Sequence, residues 1–378
     1  MRSGWAPAAA LLLGLLGLAG LGSAGCGGGD GDDDAPTPDA AAPDAALADA
    51  ALPDSALPDA RLADAGPRGA LGVAYSPRGA APGATEIMAF YNEHAAYGPL
   101  IAYHMNWRDP GMPGGTAPGT AAMLPGLASA FGFTPVVGFG WDVGGVPDLT
   151  SASEPGNNTW SNAETRMRYR TMVTDYAAAV RPRYLFLGNE INTYYLAHTP
   201  AEWASWVSEY RACYDAIKAA SPDTIVFTTF QLEHLAGLGR KNGWTQPAQW
   251  QLIDDFAGKL DAAGFTTYPY FEYETPADVP ADYYTRLRAR FAGPLIFSET
   301  AWVADPAAPY TGSEAEQRDW VTTFFARTAG LPVEYTVWLF RHDPPGLPAA
   351  FSRTGLSAND GTARLADAAW RARVAAGP

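Results

Sequence analysis

Two glutamates stand where acid–base chemistry could be done. Tyr184-Leu-Phe-Leu-Gly-Asn189-Glu190-Ile-Asn192 and Pro294-Leu-Ile-Phe-Ser298-Glu299-Thr-Ala-Trp302 each run from apolar residues straight into a carboxylate. Apolar runs of this length read as buried strands, so each Glu falls at a strand's C-terminal end. Two carboxylates meeting at one point suit the cleavage of a glycosidic C–O bond. One carboxyl protonates the leaving oxygen and the other acts at the anomeric carbon; when configuration is retained, the two stand about 5–5.5 Å apart. The bland alternative is a pair of solvated loop carboxylates, and burial of both separates the readings.

The elements that must position them recur along the chain. Apolar runs lie at Leu71–Tyr75, Leu100–His104, Thr134–Phe139, Tyr184–Leu187, Thr224–Phe230, Gly264–Tyr268, Leu295–Ser298 and Tyr335–Leu339. Helical patterns separate them. Pro200 to Ala220 is the clearest: Thr199-Pro200 starts it, Ser221-Pro222 stops it, and Trp203, Trp206, Val207, Tyr210, Tyr214 and Ile217 share one face. Asn162–Val180 and Glu314–Ala329 are further amphipathic stretches. Eight strands alternating with helices over residues 69–378 predict an α/β fold, a (β/α)8 TIM barrel. An open doubly wound sheet is the competing fold, but no Gly-rich nucleotide fingerprint follows Leu71–Tyr75. In a barrel, chemistry sits at the C-terminal strand ends, and strands four and seven face each other across the mouth.

Asn-Glu ending strand four, with Glu ending strand seven, resembles the large clan of retaining glycoside hydrolases built on (β/α)8 barrels. Within it, Gly188-Asn-Glu-Ile-Asn192, Thr267-Tyr-Pro-Tyr270 and Glu299-Thr-Ala-Trp302 are most similar to the endo-β-1,4-galactanase family. Gly72-Val-Ala-Tyr75 and Ser298-Glu-Thr-Ala-Trp302 are also similar to plant-type β-1,3-glucanases, and Phe230-Gln-Leu-Glu-His234 departs from the galactanase pattern. The resemblance implies Glu190 as general acid/base and Glu299 as nucleophile, acting through a glycosyl-enzyme intermediate without a cofactor. Glu190 should then be protonated near neutral pH and Glu299 ionised. Asn189 would bind the sugar 2-hydroxyl, and Tyr268 and Arg108 would stabilise Glu299. Trp338 on strand eight would form a platform under the reacting sugar. Trp141 and Trp302 follow strands three and seven, where a ring could stack on a sugar face or simply pack a loop; Tyr194 and Tyr195 read as loop packing.

His104, Asp142, Glu233, His234, His342 and Asp343 also fall near strand ends. Metal-dependent barrel hydrolases usually carry His-x-His on strand one, which Leu71–Tyr75 lacks, so no metal is expected. Asp142 and His104 read instead as pocket or loop residues.

The first 68 residues have a different character. Arg2, then the apolar run Ala8–Leu21, then small residues before Cys26 form an export signal over 1–26. Leu21-Gly-Ser-Ala-Gly-Cys26 resembles a bacterial lipobox, with Ser23 where Leu is usual; it implies lipidation of Cys26 and a lipid-anchored position in the bacterial cell envelope, with ordinary secretion as the alternative. Residues 27–68 are an Ala/Pro/Asp-rich linker with few large apolar groups to offset the entropy of ordering. A polyproline-like tether of that length would reach on the order of 100 Å. The net charge of the whole chain is −15; ten Asp and three Arg put −7 of it in residues 1–68, leaving −8 for the barrel. A mildly acidic domain without a basic patch argues against nucleic acid as a partner. The expected partner is a polysaccharide or oligosaccharide, the expected state a monomer, and the only membrane contact the lipid on Cys26. Cys213 reads as a core thiol. A surface glycan-binding lipoprotein on a degenerate barrel is the competing functional class.

Overall fold

The eight apolar runs all become strands of one sheet. In the computed structural model, which describes residues 69–106, 118–143, 146–147 and 159–377, these are β1 (Ala70–Ala74), β2 (Leu100–Asn106), β3 (Thr134–Gly140), β4 (Tyr184–Leu187), β5 in two pieces (Ile225–Phe227 and Thr229–Gln231), β6 (Ala263–Thr267), β7 (Leu295–Thr300) and β8 (Val333–Trp338). Cys26, the linker and Arg108 lie outside the described residues.

The nine strand segments are hydrogen-bonded in the order first half of β5, β4, β3, β2, β1, β8, β7, β6, second half of β5. Every neighbouring pair in that order is parallel. Both ends of the order are the same strand, so the sheet is a closed eight-stranded (β/α)8 barrel. Thr228 makes the change of partner. Its Oγ1 donates to the Leu187 carbonyl on β4 at 2.7 Å, and its own carbonyl accepts from Gly264 N on β6 at 3.2 Å.

The strands alternate between two apolar environments, as parallel strands covered on both faces must. Val136, Tyr184, Phe186, Phe227, Ile296 and Val337 fill the ring. A Cβ at Gly138 would overlap the Phe186 ring, so the absence of a side chain on β3 lets this aromatic cross the interior. Residues of opposite parity, such as Leu185, Phe265 and Phe297, meet the outer helices.

Those helices are α1 (Ala84–Glu93), α2 (Pro118–Phe131), α3 (Ala163–Val180), α4 (Ile191–Ala197), α5 (Pro200–Ala220), α6 (Leu232–Leu235), α7 (Gln251–Asp254), α8 (Glu314–Thr328) and α9 (Leu365–Ala376). Helix α5 spans the residues its start and stop signals predict. Thr199 Oγ1 accepts from Glu202 N at 3.2 Å, and Trp203, Trp206, Tyr210, Cys213 and Ile217 are buried. Each large apolar side chain so buried contributes about 1.5–3 kcal/mol. Asn162 caps α3 and Ser313 caps α8 in the same way.

The alternation expected from sequence fails after β5 and β6. Only the one-turn α6 and α7 and a 3₁₀ turn at Arg240–Asn242 follow β5, and only 3₁₀ turns at Pro269–Phe271, Pro276–Asp278 and Thr285–Ala289 follow β6. Pro269, Pro276 and Pro280 explain the second gap, since each removes a donor and disfavours helix in the residue before it. Aromatic residues cover the barrel there instead: Tyr270, Phe271, Tyr283 and Tyr284 are all buried.

Candidate active site

Strict alternation along β7 would send Glu299 outward with Leu295 and Phe297. A bulge prevents this. Phe297 is in register with Phe265 and Glu299 with Thr266, so two steps on β7 match one step on β6. The extra residue turns Glu299 into the ring and leaves Thr300 facing out, where its Oγ1 accepts from Trp320 Nε1 at 3.2 Å.

Strand β4 presents its acid by a sharp turn. Gly188 has φ +74°, and a Cβ there would lie 2.7 Å from Ile191 Cγ2 and 3.0 Å from Trp141 Nε1, so only glycine fits. Glu190 itself is left-handed, with φ 50° and ψ 43°, a conformation that disfavours a non-glycine residue by about 1–2 kcal/mol. Local bonds hold it. Glu190 N donates to Thr229 Oγ1 at 2.9 Å, and the Glu190 carbonyl accepts from Thr193 N and Thr193 Oγ1 at 2.9 and 2.7 Å.

Both carboxylates then meet side chains from one strand end. Thr266 Oγ1 donates to Glu190 Oε1 at 2.6 Å. Tyr268, two residues on and immediately after β6, donates its hydroxyl to Glu299 Oε2. Since Thr266 is also the register partner of Glu299, the two acids are gathered at one place on the mouth. They are 7% and 2% exposed, which removes the reading of solvated loop carboxylates. Asn189 sits beside them; its Oδ1 accepts from Thr229 Oγ1 at 2.7 Å, while its buried Nδ2 has no partner and remains able to donate.

His104 completes the cluster. It follows Leu100 and Ala102 in facing the ring interior, and its ring packs edge-on to Phe186 with centroids 5.1 Å apart. Nδ1 lies 3.2 Å from Glu299 Oε1. Burial lowers the imidazole to about 4, so at neutral pH it is uncharged and the contact is not an ion pair. Burial also pushes the Glu299 carboxyl up from 4.5 to about 7, outweighing the Tyr268 hydroxyl, which pulls it down. Burial therefore works against the ionised Glu299 that the resemblance implies, and the Tyr268 hydroxyl works for it.

The structure brings together Glu190, Glu299, Asn189 and Tyr268 among the residues singled out from sequence. It does not bring the three tryptophans to an open face. Trp338 is outward on β8, one residue past the inward Val337; it is fully buried, donates Nε1 to the Thr354 carbonyl at 2.9 Å, and packs on Trp370 of α9 with centroids 5.5 Å apart. The sugar-platform role is therefore corrected to packing between barrel and helix. Trp141 is buried against Trp160, Trp206 and Tyr194, and Trp302 between Tyr270 and Trp320, so both serve packing here. Tyr194 is buried as well and donates to Glu202 Oε1 at 2.6 Å. Glu233 lies behind β6, accepting from Gln231 Nε2, Thr267 Oγ1 and Tyr283 OH at 2.5, 2.8 and 2.7 Å. His342 and Asp343 are held apart from it, bonded to the Ser76 carbonyl and to Arg364. Among the described residues, no group of three or more His, Cys, Asp or Glu is placed to hold a metal ion. Thr229 and Thr266 were not singled out from sequence; their signal was parity, since each shares the inward face of its strand with a ring-filling residue.

No family model matches the chain, and no curated protein matches it. Solved structures do. The fold is similar to that of the exo-β-1,4-mannosidase Op5Man5 from Opitutaceae bacterium strain TAV5, at 17% identity and TM-score 0.61 over 81% of this chain and 59% of that one. It is similar to GH5_18 from Streptomyces cattleya in complex with GlcNAc, at 17% identity and TM-score 0.61 over 82% and 80%. A family 39 glycoside hydrolase from Bacteroides cellulosilyticus WH2 matches at 14% identity and TM-score 0.56 over 80% and 62%. The chain spans less than two thirds of the first and third of these proteins. Such likenesses show a shared barrel fold.

Proposed function

We propose that this protein is a retaining glycoside hydrolase acting on a β-linked glycan, with Glu190 as acid/base and Glu299 as nucleophile. One observation carries the reading: Thr266 and Tyr268, two residues apart at the end of β6, bond one buried carboxylate each. A glycosidic bond laid across that point has an acid on one side and a nucleophile on the other. The unpaired Asn189 Nδ2 is placed to meet a hydroxyl of the reacting sugar. Glu299 attacks the anomeric carbon as Glu190 gives its proton to the leaving oxygen; Glu190 then takes a proton from water, which releases the sugar from Glu299. Described neighbours of the same fold include a β-1,4-mannosidase and a β-glucuronidase from Bacteroides uniformis, which supports a β-linked substrate. Sequence likeness favours β-1,4-galactan first and β-1,3-glucan second, and the mannosidase neighbour adds β-1,4-mannan to the candidates. Lipidation at Cys26 would present the barrel at the cell envelope, and Cys26→Ser should then release it from the membrane fraction.

The test is reducing-sugar release across those three polysaccharides, with the first-formed anomer followed by proton NMR. Release of the β-anomer by the wild type, abolished in Glu299→Ala and restored by azide as an α-glycosyl azide, is expected. Binding of a glycan with no release from any of the three, or first release of the α-anomer, would sink the proposal.

A further inference from the structure

Among the described residues, the two carboxylate oxygens of Glu299 receive one hydrogen bond. Oε2 accepts from Tyr268, whereas Oε1 is buried without a hydrogen-bond partner. A buried acceptor left unsatisfied costs about 1–3 kcal/mol, and more when it is charged. His104 Nδ1 stands 3.2 Å from this atom, within reach in distance and lacking only alignment. Both ring nitrogens of His104 are also buried and unpartnered. Catalytic hydrogen bonds are often loose before substrate arrives and tighten in the working complex.

We propose that His104 is the positioning residue of Glu299: its Nδ1–H donates to Oε1 whenever that carboxyl is ionised, fixing the oxygens for attack. The fold makes the contact possible by two independent devices. Inward parity on β2 aims His104 at the ring axis, and the bulge on β7 aims Glu299 at the same place. Phe186 supports the imidazole from the side. Among the described residues, the titratable groups facing Glu299 are Glu190 from β4, Tyr268 and Tyr270 from the end of β6, Tyr335 from β8 and His104 from β2. His104 and Tyr268 alone among them lie within hydrogen-bond distance of its carboxylate oxygens in the contacts described. An uncharged donor has a chemical consequence. A guanidinium in the same place would hold the carboxylate ionised far into acid, whereas an imidazole supports it without a net charge.

The catalytic meaning rests on the glycosidase reading, but the contact is testable without a substrate. The full chain is labelled with glutamate carrying ¹³C at the side-chain carboxyl, and the Glu299 resonance is assigned by its loss in Glu299→Gln. His104→Phe keeps an aromatic ring on Phe186 but removes both nitrogens. His104→Asn retains an amide donor at the Nδ1 position, and His104→Gln puts its amide at the Nε2 position instead. The Glu299 titration midpoint should rise by about one pH unit or more in the Phe and Gln variants, and stay within about 0.3 of wild type in the Asn variant. A merely packing role would leave all midpoints alike, and that result overturns the proposal. Should the Phe variant fail to fold, Asn and Gln variants titrating alike overturn it equally. A wild type that releases no sugar would defeat the functional reading while leaving this titration to stand or fall separately.

Discussion

Replacing Glu299, the proposed nucleophile, by its amide should make the protein more stable, and only above a definite pH. Glu299 is 2% exposed, and burial raises its carboxyl from 4.5 to about 7. Since the folded value lies above the unfolded one, the native state holds an extra proton between these limits. Its contribution to stability is fully present below pH 4.5 and is lost as pH rises through about 7. At about 1.4 kcal/mol per pH unit, that gap corresponds to about 3 kcal/mol. The group is fully enclosed, so solvent screening does not reduce the figure. Glu299→Gln removes the titration, keeps the shape, and leaves an amide oxygen to accept from Tyr268. Urea unfolding of both proteins, followed by tryptophan fluorescence and far-UV circular dichroism, gives the difference at each pH. Below pH 4.5 it should be constant, a fixed offset due to the exchange itself. Above that it should grow in favour of the variant, reaching about 3 kcal/mol beyond the offset by about pH 8. The titrating groups remote from Glu299 are common to both proteins and cancel; those that face it shift with the exchange. A difference flat to within about 0.5 kcal/mol across the range would refute the argument that burial governs this carboxyl.

Three further outcomes are expected. Tyr268→Phe removes the donor on Oε2, so ionised Glu299 becomes harder to form; the acidic limb of kcat/KM should move to higher pH, with a loss of tenfold or more, about the scale of one acid–base interaction, at neutral pH. Thr266→Val has the same shape but leaves Glu190 Oε1 without the 2.6 Å bond from this hydroxyl; kcat on the glycan identified by the panel should fall while far-UV circular dichroism stays unchanged. Trp338→Phe should lower unfolding free energy by about 1–3 kcal/mol through lost packing and the lost Nε1 bond, yet leave KM unchanged, and a large rise in KM would return Trp338 to the sugar site.

How far the sequence reaches is clear from particular residues. The strands were legible because runs such as Tyr184–Leu187 are too apolar to face water on either side. Helix α5 was legible to the residue because Thr199, Pro200 and Ser221-Pro222 supply a cap, a start and a stop. The positions of Glu190 and Glu299 at strand ends were also plain. Their direction was not: period-two reading from Phe297 points Glu299 at the helices, and only a shift of register between β6 and β7, a property of two strands together, reverses it. Trp338 illustrates the opposite case. Parity from Tyr335 and Val337 already placed it outside the ring, and likeness to other barrels outweighed that local signal. The missing helices after β6 could have been foreseen from the prolines at 269, 276 and 280. The Thr266 bond depends on the left-handed turn at Glu190, for which non-glycine sequence carries no reliable sign.

The seam at Thr228 has a consequence for what can change in this molecule and what cannot. One residue sews β4 to β6 through its hydroxyl and its carbonyl, so the arc from Glu190 to Glu299 has a fixed circumference rather than a length that loops could adjust. The rim can be rewritten without touching that gauge. In the proposed reaction the stereochemical course would follow from the spacing that the hoop, its bulge and the turn at Glu190 set between the two acids, and not from the loops above.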